Sequence, residues 1–131
     1  MVRGTPASQT SGSHMNDILF EFLHKKVNSF IKWDLVRFFH DNPHMTDTAE
    51  NIAGYTGRDK RTIERELDGL VRSSVLKNRQ VSGVTVYMLT DDELIQTKIG
   101  EFMAACHDRQ FRVEAIQVLI KGMQYTPRHD F

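Results

Sequence analysis

Between positions 58 and 79 the chain places seven basic residues, Arg58, Lys60, Arg61, Arg65, Arg72, Lys77 and Arg79, against Asp59, Glu64, Glu66 and Asp68, a net of +3. Cations at that density suit a polyanion. Arg presents a planar fork of donors that fits phosphate and the edge of guanine, whereas Lys acts as a mobile point charge. At about 100° per residue, Arg61, Arg65, Asp68 and Arg72 share one side of a helix whose other side is Ile63, Leu67, Leu70 and Val71. A second constellation, Cys106-His107, offers one thiol beside one imidazole, which is short of a metal ligand set. Cys106 also falls on an apolar seam, which favours a buried small residue. His24, His40, His44 and His129 are scattered and take no assigned role. There is no Gly-rich phosphate loop, no nucleophile-base-acid arrangement and no metal-ligand spacing, so neither an enzyme nor a cofactor is expected.

The basic stripe must be read locally, because the whole chain balances 17 Lys+Arg against 17 Asp+Glu. Residues 91–108 hold Asp91, Asp92, Glu93, Glu101 and Asp108 against Lys98 alone, a net of −4. Charge is therefore segregated along the chain, and any polyanion would meet a patch rather than a polycation. The opening "MVRGTPASQTSGSHM" is rich in Gly, Ser and Thr, lacks apolar periodicity, and reads as an expression tag over 1–14. From Met15 onward 117 residues remain, enough for one domain with its own core. A single cysteine excludes an internal disulfide and points to a reducing cytoplasm. No apolar run is long enough to span a bilayer, and no membrane association is expected.

The elements that would position the stripe follow from periodicity and punctuation. Ile18, Leu19, Phe22 and Leu23 predict an N-terminal helix within 15–28, ending near "HKK". Ile31, Leu35, Phe38 and Phe39 predict a second helix from about Ser29 to His40, stopped by "DNPH". "DTAE" predicts a short third helix capped by Asp47, with Glu50 completing a capping box. Gly57 supplies the left-handed turn, and Asp59 caps the basic helix over about 60–73. "VLKNRQV" and "VTVYMLT" read as strands joined by a Ser82-Gly83 turn. Residues 91–124 are helical, with a possible break at "CHDR", and 125–131 form a frayed tail.

Three helices followed by a hairpin, and in particular "TAENIA", the Gly57 turn, "KRTIEREL", "GLVRSSVL" and "VYMLTDDE", resemble winged helix-turn-helix regulators of the MarR/ArsR type. The resemblance covers Leu35 to Glu93, about half the chain, and implies a winged helix-turn-helix domain over 29–90, a mainly α fold with a small β-hairpin, flanked by N- and C-terminal helices. It implies duplex DNA as partner and transcriptional control as function, with Lys60, Arg61, Thr62 and Arg65 in a major groove. Arg61 and Arg65 suit guanine, Lys60 and Thr62 suit phosphate, and Arg58, Arg72, Lys77 and Arg79 suit the backbone. Asp68 can neutralise Arg65 or Arg72, and Glu64 can accept from a cytosine amine. The competing expectation is a winged-helix protein–protein interaction module without DNA binding.

Ile95, Ile99, Phe102, Cys106, Val113, Ile116, Ile120 and Met123 follow a 4,3 spacing broken only at Arg109. With Ile18 and Phe22, the apolar residues of this seam (Ile95, Ile99, Phe102, Val113, Ile116 and Ile120) form the expected interface of a homodimer, as in relatives that dimerise through flanking helices. A small effector between those helices and the central domain is also implied by the resemblance, with no residue set to identify it.

Overall fold

The protein is described by a computed structural model over residues 14–125, with side chains to residue 122. Residues 1–13 of the expected tag, residues 126–131 of the expected tail and the side chain of Met123 lie outside the described residues. Among the described residues, six helices accompany a small antiparallel sheet. They are α1 (14–22, continuing as a π-helical turn, Leu23–Val27), α2 (Phe30–Asp41), α3 (Ala49–Thr56), α4 (Lys60–Arg72), α5 (Glu93–Ala105) and α6 (Arg109–Tyr125). The strands are β1 (Thr46–Thr48), β2 (Leu76–Val81) and β3 (Val84–Leu89), and their sheet packs on α2, α3 and α4.

The hairpin forms where expected. Ser82 and Gly83 both take positive φ, 54° and 82°, the pair of left-handed residues that a two-residue turn between twisted strands needs. The sheet, however, has three strands in the order β1-β3-β2, with Asp47 opposite Tyr87 in the β1–β3 register. That pairing corrects the expected cap. Asp47 is held in the sheet, and the cap of α3 moves one residue on to Thr48, whose hydroxyl accepts from the Asn51 N–H at 3.2 Å. The Asp47 carboxylate instead gathers the Thr48 N–H, the Asn51 amide and the Tyr55 hydroxyl, at 2.8, 2.8 and 2.9 Å.

Gly57 takes φ 69° and turns the chain from α3 into α4. Asp59 then caps α4, as expected, accepting from the Thr62 N–H at 3.0 Å. The end of α4 closes on Ser74, which takes φ 69° while the Val75 N–H returns to the Leu70 carbonyl at 2.9 Å. Ile63, Leu67 and Leu70 are fully buried with Leu35, Val36 and Phe39 of α2 and Ile52 of α3. Each such side chain contributes about 1.5–3 kcal/mol by leaving water, so the apolar face of α4 holds the helix in place.

Two polar contacts fix α4 further. Glu66 accepts from the Ser29 hydroxyl at 2.9 Å and from the Lys32 ammonium at 3.0 Å, tying α4 to the start of α2. The Tyr87 hydroxyl donates to Asp68 at 2.7 Å, tying α4 to the middle strand. Asp68 is thus engaged by Tyr87; neither Arg65 nor Arg72 forms the expected ion pair with it among the described residues. Burial, then the Asp68 hydrogen bond, push the Tyr87 phenol above its ordinary range, so it stays a donor. Tyr87→Phe removes one bond to a charged acceptor without changing shape. It is expected to cost about 1.5 kcal/mol in urea unfolding.

The helix is interrupted at Cys106–Asp108. Asp108 restarts the helix by accepting from the Phe111 N–H at 2.8 Å. The break resets the helical phase, so that Phe111, Ala115 and Leu119 face inward, while Val113, Ile116 and Ile120 face out. Three of the expected dimer residues, which precede this break, are also corrected: Phe22, Ile99 and Phe102 lie in the core of the single chain. The Phe102 ring meets Trp33 at 5.3 Å, Phe111 at 5.9 Å and Phe22 at 6.1 Å between centroids. Ile18 and Ile95 are half-buried.

Candidate nucleic-acid interface

The outward side of α4 carries Lys60, Arg61, Glu64, Arg65 and Arg72, all exposed. Among the described residues, none of these four cations comes within ion-pairing distance of a carboxylate. Arg61 does contribute to its neighbour. The Thr62 N–H, chiefly, with the Thr62 hydroxyl, the Arg61 N–H and the Arg61 charge, holds the Asp59 carboxyl below its usual range. The cap therefore stays charged at neutral pH, and the first turn of α4 stays formed.

The other expected contacts are committed elsewhere in the molecule. Arg58 donates to Asp34 at 2.9 Å, and Arg37 shares the same carboxylate at 3.1 Å, so Arg58 braces the α3–α4 turn against α2. The Thr62 hydroxyl turns back to Asp59 at 3.2 Å. Lys77, at the base of the hairpin, pairs with Asp91 just before α5. Arg79 is exposed on β2, its guanidinium against the Met88 sulfur at 3.9 Å. The structure thus gathers Lys60, Arg61, Arg65 and Arg72 on one helix face, with Arg79 on the adjoining hairpin, and assigns Arg58, Thr62 and Lys77 to internal bonds.

Sequence reasoning passed over three features. Lys25, Lys26 and Lys32 converge beside Arg72, across a 47-residue separation between Lys26 and Ser73 that no local pattern reveals. Asp34 is a node for two arginines. A groove of about 860 Å³ opens between α2, α5 and the start of α6, with Phe30, Trp33, Met103 and Ile116 among its apolar lining. Cys106 lines the same groove and is half-buried. Burial pushes its thiol up to about 11, against the opposing pull of Arg112 and Arg37. At pH 7.5, alkylation by iodoacetamide is expected to run on the order of 100-fold slower than for an ordinary exposed thiol, because the thiolate is that much scarcer. The rate should climb as pH approaches 11.

Among the described residues, no group of three or more His, Cys, Asp or Glu side chains is placed to hold a metal ion. No described helix is long and apolar enough to cross a membrane. Compared with protein families, with curated proteins and with solved structures, the chain shows no match.

Proposed function

We propose that the chain is a sequence-specific duplex-DNA-binding transcriptional regulator of winged helix-turn-helix type, acting as a homodimer. The observation that carries this reading is the α4 surface. Arg61 and Arg65 project outward from the first two turns after the Asp59 cap, with no carboxylate partner among the described residues, while the opposite face is locked in the core. A helix of this kind fits a major groove, where arginine reads guanine by a bidentate contact. In this reading the hairpin is the wing. The Tyr87–Asp68 bond sets its angle to α4, and Arg79 reaches the adjacent backbone.

The homodimer is supported by α6. Its inward face is Phe111, Ala115 and Leu119, yet Val113, Ile116 and Ile120 on the opposite face are 41%, 39% and 43% exposed. A helix apolar on two sides is built to be sandwiched, and a second copy of the same face is the simplest cover. The two recognition helices would then address half-sites about 34–36 Å apart. The same apolar face also favours a second reading, a protein-interaction module without DNA binding, in which a different protein covers α6.

Selection of duplexes from a random or genomic fragment pool, followed by gel-shift at rising salt, tests the proposal. A regulator retains a common sequence and loses affinity steeply with salt. An interaction module selects nothing and shows no shift at low salt.

A further inference from the structure

The cations of α4 continue past its last turn into a second surface. Lys25, Lys26, Asn28 and Lys32, from the π-turn and the start of α2, face Gly69, Arg72 and Ser73 across a cleft of about 410 Å³. Its floor is Gly69. A Cβ at that position would lie 2.5 Å from Cε and 2.9 Å from Nζ of Lys32, so a larger residue there would push the end of the lysine aside. The helix accepts a residue that costs about 1 kcal/mol relative to alanine, and the room gained is occupied by a cation.

Two acids approach this cluster, Glu21 and Glu66. Glu66 is only 16% exposed and already shared between Ser29 and Lys32, facing α2. Glu21 pairs with Lys25 at 2.8 Å, but both side chains are more than 60% exposed, and such pairs exchange readily with water. Lys26 is satisfied by the Ser73 carbonyl at 2.9 Å, a neutral partner that leaves its charge uncompensated. Arg72 is exposed and forms no ion pair among the described residues. Four cations against two acids, around a concave surface where Asn28 Oδ1 accepts from the Lys32 ammonium at 3.2 Å, suit a tetrahedral oxyanion.

We propose that this cleft is a phosphoryl-oxyanion site, filled by a backbone phosphate of the duplex that α4 reads. Arg72 belongs both to the cleft and to the Arg61–Arg65 face, so one strand passing along α4 reaches it. The duplex source rests on the regulator reading above; the oxyanion chemistry does not. It adds Lys25 and Lys26 to the surface that holds the ligand, and neither carries sequence information.

The test uses the full chain, with Lys25→Gln/Arg72→Gln, two exposed positions outside the core, and Gly69→Ala, which fills the floor while keeping every charge. If the duplex fills the cleft, the slope of log affinity against log salt falls by about 0.9 in the double variant, for the one phosphate no longer neutralised, with sequence preference unchanged. Titration with inorganic phosphate, followed by the Gly69 and Ser73 amide resonances, tests the cleft without DNA. Should no duplex bind at all, the regulator reading fails. A phosphate response lost in both the double variant and Gly69→Ala would then still establish the site, filled by a free phosphorylated molecule. The same response beside an unchanged salt slope assigns that free source as well. An unchanged slope with no phosphate response overturns the proposal, as does a phosphate response that survives Gly69→Ala, which would reflect diffuse charge only.

Discussion

Replacing Arg61 and Arg65 together by alanine is expected to weaken binding to a selected duplex by about 10²- to 10⁴-fold, since each bidentate arginine–guanine pair supplies about 1–3 kcal/mol. Both side chains are exposed and leave no buried partner behind, so thermal stability should be unchanged. Arg79→Ala provides the contrast. On the hairpin its removal should weaken all duplexes alike and lower the salt slope by about 1, without relaxing the preferred sequence. A double variant that binds as tightly as the parent, with the same sequence preference, would remove α4 from the interface and the regulator reading with it.

The second large effect separates core from docking surface. Phe102 lies at the meeting point of α1, α2, α5 and α6, fully buried and in ring contact with three aromatic side chains. Phe102→Ala should cost about 3–5 kcal/mol, read as a lower denaturant midpoint. Ile116→Asp changes an outward position of α6 and should leave the midpoint of the isolated subunit nearly unchanged. Light scattering should then show the parent at twice the subunit mass and the variant at one. A parent that scatters as a single subunit defeats the dimer, whatever Phe102 does. In the proposed dimer the two half-sites would be bound together, so the Ile116→Asp protein should also lose affinity for a palindromic duplex.

Local chemistry makes much of this fold legible in the sequence. The Asp59 cap, the Gly57 turn and the Ser82-Gly83 hairpin each rest on one or two residues whose preferences are strong and near at hand. The basic face of α4 follows from spacing alone. What escapes is long-range. Strand β1 is three residues long and has no alternation to display, so neither its pairing with β3 nor the shift of the cap from Asp47 to Thr48 is readable. The seam over 95–123 carries a 4,3 count straight through Cys106–Asp108, although three residues outside a helix are enough to turn the next one. That is why Val113, Ile116 and Ile120 share a face with one another but not with Phe102. The Lys25–Lys32–Arg72 cleft and the Asp34 node join segments far apart in the chain, and side-chain charge gives no hint of which distant partner it will meet.

Thr48 is at once the last residue of β1 and the cap of α3, with no spacer between them. Sheet registry and helix initiation therefore share a hinge-free joint: β1 cannot slip along β3 without unwinding the first turn of α3. Through the short Gly57 corner, α4 inherits the same constraint. In the regulator reading proposed above, the hairpin and α4 would therefore meet a duplex as one unit, with no slack connection between them.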